Sequence, residues 1–248
     1  MSFNFPEIIE NFSVGSTFEN RNITAIKISS KEKYKSEKSA ILFTGMHHAR
    51  EPASMMMNLY LILYFIEGFA KNKTIVKEII NSADVYFIPI LNIDGYIKNN
   101  KLYETYGNLE KCMQRKNVNR GSKTIFCSKD DDYGVDLNRN YGFRFNYDQE
   151  GASNHPCDED YRGTAAFSEP ETQAIREFIE GENGRKIKIA FNYHSYGNIL
   201  IMPFNFDDKD SKKVALNYTQ QYLLYNDFIE EGHFPDHFRH GNGKETIE

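Results

Sequence analysis

Short runs rich in β-branched and aromatic residues alternate along this chain with longer stretches of helical periodicity. Residues 22–29 (NITAIKIS), 40–44 (AILFT), 84–90 (DVYFIPI), 186–193 (KIKIAFNY) and 199–202 (ILIM) are predicted strands. Residues 52–71, directly after the second run, are predicted helical. A further helix opens at Ser168, which caps it while Glu171 closes a capping box, and ends at Gly181. Residues 211–231 (SKKVALNYTQQYLLYNDFIEE) form a third, amphipathic helix. Strands alternating with helices imply an α/β layer fold, a sheet with helices on both faces. The stretch 92–162 is long, polar and rich in Asn, Gly, Tyr and Asp. Long loops inside a compact domain are usually functional, and sites in open α/β sheets form where loops leave the carboxyl ends of strands.

Composition narrows this picture. With 248 residues, 40% hydrophobic and 14% aromatic, the chain suits a single domain over 1–248. A net charge of -5 with mixed signs offers no clustered basic face, so no nucleic-acid partner is expected. The most apolar stretch, 55–69, is shorter than the roughly 20 apolar residues of a bilayer span and contains Asn58 and Glu67. A buried helix is expected there rather than a membrane span. The first residues show no basic segment followed by an apolar run, so no signal peptide is visible. Three cysteines, Cys112, Cys127 and Cys157, are too few for a disulfide scaffold and read, on their own, as buried thiols.

Candidate chemistry begins in TGMHHARE (44–51), between a strand and a helix. His48 and Glu51 form an H-x-x-E pair, one nitrogen and one carboxylate that meet a single ion as the chain turns into the helix. His47 stands four residues from Glu51, and the shorter spacing favours His48 as ligand. Catalytic zinc takes three protein ligands and keeps a position for water. His194, at a strand end in FNYHSYG, is the third candidate. Arg115, and Asn138 beside Arg139, suit a carboxylate or a developing oxyanion, since guanidinium pairs bidentately and the amide adds a donor. Each of these segments alone reads more simply as a packed histidine or a solvated arginine.

Together, HHARE, PILNIDGY, RK, GVDLNRNY, YRGTAAFSEPET and NYHSYGNILIMP, in this order over about residues 14–205, resemble the zinc carboxypeptidases related to carboxypeptidases A and B. The resemblance implies a mixed, eight-stranded-type twisted sheet with helices on both faces. It implies one Zn2+ held by His48, Glu51 and His194, with Arg115 polarising the scissile carbonyl. Asn138 and Arg139 would hold the terminal carboxylate of a peptide or protein substrate, and Arg50 and Tyr196 would line the cleft. It also implies a Cys127–Cys157 disulfide, which favours a secreted or lysosomal/vacuolar setting.

The family's general-base Glu, and the Tyr that closes over substrate, lie in a C-terminal part that this chain is expected to lack, along with the last strands. Glu245 and Glu248 have nothing to position them. The expected function is therefore zinc-dependent hydrolysis of the C-terminal peptide bond, with a partner chain completing the fold as one possibility. The alternative is an inactive binding or scaffold protein of the same fold. A zinc amidohydrolase acting on N-acyl amino acids shares the ligand pattern and is the third reading.

Overall fold

The computed structural model describes residues 5–31, 38–122, 127, 133–147, 149, 151–197 and 201. Five strands, β1 (Ile9–Ser16), β2 (Asn22–Ile28), β3 (Ser39–Gly45), β4 (Ala83–Ile88) and β5 (Ile187–Tyr193), form one sheet in the order β1-β2-β4-β3-β5. The β1–β2 and β2–β4 pairs are antiparallel, and β3 runs parallel to both β4 and β5. Parallel neighbours need crossovers. Helices α1 (Pro52–Ala70) and α2 (Thr74–Ser82) supply the first, and α3 (Ile93–Tyr106) and α4 (Pro170–Glu180) lie within the second.

The middle of the sheet is buried on both faces: β4 sits between β2 and β3, and all six of its residues are buried. Side chains alternate across a strand. Val85 and Phe87 therefore pack with Ile62, Phe65 and Ile66 of α1 and Val76 and Ile80 of α2. Tyr86 and Ile88 pack on the other face with Ala174, Ile175 and Phe178 of α4 and with Leu137. The mixed sheet with helices on both faces is as the sequence predicts. By length and composition α1 is apolar enough to cross a bilayer, but its inner face is part of this core.

Three elements depart from the sequence reading. The sequence pattern does not predict β1 or α2, and α3 occupies the start of the stretch read as a loop. α3 is poor in apolar residues, yet Asn92 caps it by accepting from Gly95 N at 3.1 Å. Asn99 then ties its side to Gln114 through two backbone bonds of 2.9 and 3.1 Å. Ser168 does not cap α4. Glu169 is the N-cap residue, Pro170 opens the helix, and Ser168 Oγ instead donates to Glu169 Oε1 at 2.8 Å. Except for Ile201, which lies outside any strand, the strand expected at 199–202 falls outside the described residues, as does the helix expected at 211–231.

The parallel β3–β5 pair brings the chemistry-bearing segments together. Its register sets Thr44 opposite Asn192 and Gly45 opposite Tyr193, so both strands end at the same edge of the sheet. β3 leaves through Met46, whose φ of 54° is unusual for a residue with a Cβ. The turn is held by Ser54 Oγ, which accepts from Met46 N at 2.9 Å, and by Asn92 N, which donates to Met46 O at 2.9 Å.

Candidate functional site

The turn after β3 carries His48 and ends at Glu51, the residue before α1, and the exit of β5 carries His194. His48 Nδ1 lies 2.8 Å from Glu51 Oε1, and His194 Nδ1 lies 2.9 Å from Glu51 Oε2. The two Nδ1 atoms are 3.2 Å apart. One ligand atom from each of the three residues falls within 4.8 Å of the others. Glu51 Oε2 also accepts from Ser195 N at 3.1 Å, so the same carboxylate ties the β5 exit to the start of α1. His48 and Glu51 are buried and His194 is half-buried.

Behind His48 stands Asp136, fully buried. Its Oδ1 lies 3.1 Å from His48 Nε2 and accepts from Asn138 N at 3.0 Å. Its Oδ2 takes Arg115 Nε at 3.0 Å and Nη2 at 2.8 Å. Burial opposes ionisation of Asp136, but His48, Arg139 and Arg115 outweigh it and hold the carboxyl well below its usual range. Burial also opposes charge on His48, yet Asp136 and Glu51 raise its pKa overall. Glu51 is held far down by hydrogen bonds from His194 and His48 despite its burial. A carboxylate on the outer nitrogen fixes a histidine's tautomer and leaves the other nitrogen for a metal. Two imidazoles and one carboxylate, with such a backing group, are the donor set of a catalytic zinc site.

At the rim, Arg115 Nη1 comes within 3.3 Å of His48 Nδ1, and Asn138 Nδ2 within 3.3 Å of His194 Nε2. Asn138 Oδ1 is buried and has no hydrogen-bond partner among the described residues. Arg139 donates from Nε to Gly151 O and from Nη1 to Asn138 O at 3.1 Å. Arg50 is paired with Glu159 through both Nη atoms at 3.1 and 2.9 Å, and the Tyr196 side chain stands in solvent. His47 turns away to Tyr141, 2.7 Å from Nε2 to the hydroxyl, and burial drives its pKa well down. Cys127 and Cys157 are joined in a disulfide, while Cys112 is a buried free thiol. Sequence reasoning does not single out Asp136, although it stands two residues before Asn138 in the same DLNR segment. Its role rests on burial and on partners far away in the chain.

The loops that carry Arg115 and Asn138 are anchored by a second, buried acidic group. Asn117 Nδ2 donates to Glu169 Oε2 at 2.7 Å and to Glu171 Oε2 at 3.2 Å, and Phe18 N donates to Glu171 Oε1 at 2.9 Å. The chain passes close here because Gly134 has φ 102° and a Cβ on it would meet Asn117 O at 2.0 Å. Burial, with Glu169 nearby, pushes the Glu171 carboxyl up to about 7 from an ordinary 4.5. A folded-state pKa above the unfolded one means the fold holds the extra proton. Its stabilising effect is therefore full below pH 4.5 and is lost as pH rises to about 7. The loss amounts to about 3 kcal/mol. Urea unfolding from pH 4.5 to 8 will show this decline in the parent chain, and Glu171→Gln will flatten it. An equal decline in the variant would assign it to other groups.

Against known proteins, the zinc carboxypeptidase family model matches residues 1–237. Human mast cell carboxypeptidase A is 31% identical over 208 residues, covering 83% of this chain and 44% of that protein. Among solved structures, thrombin activatable fibrinolysis inhibitor superposes with a TM-score of 0.73 at 27% identity, covering 88% of this chain and 51% of the other. The carboxypeptidase A of Helicoverpa armigera gives 0.70 at 26%, covering 88% and 49%. The chain spans about half the length of the curated relatives it matches.

Proposed function

Because this chain belongs to the zinc carboxypeptidase family, we propose that it holds one zinc ion and serves hydrolysis of the C-terminal peptide bond of peptides and proteins. The observation that carries the reading is the convergence of His48, Glu51 and His194 within 4.8 Å. These three residues would hold the ion through the two Nδ1 atoms and the Glu51 carboxylate. Bound zinc supplies a Lewis acid and lowers the pKa of water toward about 7.

The chain's own groups do the rest. Asp136 fixes Arg115 through Nε and Nη2, leaving Nη1 directed across His48. There it donates to a carbonyl oxygen that gains charge during attack, and a fixed donor in a water-poor site stabilises such an oxyanion. Asn138 and Arg139 receive the substrate's terminal carboxylate, which restricts cleavage to the last peptide bond. Arg50 and Tyr196 line the approach. Residues 1–248 belong to a single, incomplete catalytic domain in this reading, and the Cys127–Cys157 bridge fits an oxidising compartment, secreted or lysosomal/vacuolar.

Equilibrium dialysis of the purified chain will give one zinc per chain. A form completed by the family's general-base Glu will hydrolyse an N-acylated dipeptide with a free carboxylate but not its C-terminal amide, and removal of zinc with a chelator will abolish turnover. Undiminished hydrolysis by metal-free chain overturns the mechanism. One bound zinc with no turnover of any peptide would instead favour a binding protein of this fold.

A further inference from the structure

His48 has a permanent hydrogen-bond acceptor behind it in Asp136, whereas on the outer, Nε2 side of His194 no carboxylate stands among the described residues. Its Nε2 faces two side-chain amides, Asn192 Nδ2 at 2.8 Å and Asn138 Nδ2 at 3.3 Å. Asn192 is held in turn by Thr44, whose Oγ1 donates to Asn192 Oδ1 at 3.0 Å. These two residues are direct partners in the β3–β5 register. Thr44 stands four residues before His48 and Asn192 two before His194, so this one bond joins the two strands that carry the proposed ligands.

We propose that Asn192 is the positioning residue that sets the tautomer of His194, and that Thr44 lets it do so by accepting a turned amide. The inference rests on the metal reading above. With the amide nitrogen facing it, Nε2 accepts, and the imidazole proton sits on Nδ1, where it donates to Glu51 Oε2 at 2.9 Å. In that tautomer Nδ1 has no lone pair for a metal. Ligation through Nδ1 requires the proton on Nε2 and an oxygen opposite it.

A half-turn of the Asn192 amide provides that oxygen with no backbone movement, because the two ends of an amide have the same shape. Oδ1 then accepts from Nε2–H, and Nδ2 donates to Thr44 Oγ1. A hydroxyl both donates and accepts, so Thr44 satisfies either orientation. Asn138 is the poorer choice, being farther from Nε2. Turning Asn138 alone would leave the Asn192 N–H opposed to Nε2–H at 2.8 Å, whereas turning Asn192 leaves only the Asn138 N–H, at 3.3 Å and free to be drawn off by a substrate carboxylate. With Asn192 in this role, the Asn138 amide remains for the substrate carboxylate. The two ligand histidines are thus backed differently, His48 by a fixed anion and His194 by a reversible neutral amide.

The test is zinc affinity, measured on the purified chain by competition with a chromophoric chelator, with unfolding temperatures of metal-free protein as the control for folding. Asn192→Ala will weaken zinc by about 10–100-fold, the usual cost of losing the group behind a ligand histidine. Asn192→Asp, which presents an oxygen in either orientation, will restore most of that affinity. Thr44→Val, which cannot hold the turned amide, will weaken binding in the same direction. Parent-like affinity in Asn192→Ala overturns the inference, and so does Asn192→Asp binding as weakly as Asn192→Ala. Should Asn192→Ala fail to fold, parent-like affinity in Thr44→Val overturns it. A parent chain that binds no zinc overturns the metal reading and this inference with it. A parent chain that binds zinc, with no loss in either variant, overturns this inference alone.

Discussion

Glu51→Ala will reduce zinc affinity by more than the 10–100-fold that loss of an outer hydrogen-bond partner costs, and will eliminate metal-dependent turnover. Glu51 hydrogen-bonds to both proposed ligand histidines, at 2.8 Å to His48 and 2.9 Å to His194, and it also receives Ser195 N. Removing it takes away the negative charge that offsets the ion and leaves two Nδ1 atoms 3.2 Å apart with nothing between them. Two neutral imidazoles alone do not make the three-ligand set of a catalytic zinc site. Glu51→Gln keeps the volume and the Ser195 contact but loses the charge. It should therefore fold like the parent while binding zinc almost as poorly as the alanine variant. Titration with zinc, read beside the unfolding temperature of metal-free protein, separates lost ligation from lost structure. Parent-like zinc binding by Glu51→Ala would remove this carboxylate from the metal centre.

Asp136→Ala will be the most destabilising single change in the site, at about 3–5 kcal/mol, the usual cost of removing one partner of a buried ion pair. Asp136 has no exposed side-chain surface, and Arg115 retains only 13% of its own. Without the carboxylate, the guanidinium stays buried with both of its Asp136 bonds lost, and His48 Nε2 and Asn138 N lose their partner as well. Since domains are stable by only about 5–15 kcal/mol, this is a large share of the total. Asp136→Asn retains one oxygen and will be milder in stability while still weakening zinc. Chemical denaturation of metal-free chain measures the first effect and chelator competition the second. A loss below about 1 kcal/mol in Asp136→Ala would show that the Arg115–Asp136 pair contributes little, as exposed pairs do.

Much of this architecture is legible in the amino-acid sequence. Strands β2 to β5 announce themselves by their β-branched and aromatic side chains, and VYFI in β4 is buried at every position. The residues that converge on the candidate centre sit in short motifs at strand ends, where local sequence fixes local geometry. β1 is not legible, since IENFSVGS interleaves Glu, Asn and Ser, and among the described residues β2 alone pairs with it. α3 is hidden by Gly95, Asn99 and Asn100, poor helix formers whose helix is imposed by the Asn92 cap and the bonds to Gln114. The capping box at Ser168 fails because Asn140 Nδ2 occupies Ser168 Oγ at 2.9 Å and Asn140 Oδ1 takes the Thr172 hydroxyl at 2.6 Å. Asp136 and Asn192 escape a sequence reading for a related reason. Each acts through partners set beside it by packing or strand pairing, and no spacing rule encodes that.

The pairing of Gly45 with Tyr193 has a consequence for how the protein is made. His194 lies 143 residues after Glu51, so on the metal reading the proposed centre would close a loop of more than half the chain. A nascent chain that has delivered β3 and α1 presents only His48 and Glu51, a weak two-point chelate, until the ribosome has also released β5. On that reading, three-ligand metal capture would come late in synthesis, once β5 has been delivered. From then on a bound ion would act as a staple across the sheet, and the same late step that completes the proposed centre would tie the β3 and β5 segments together.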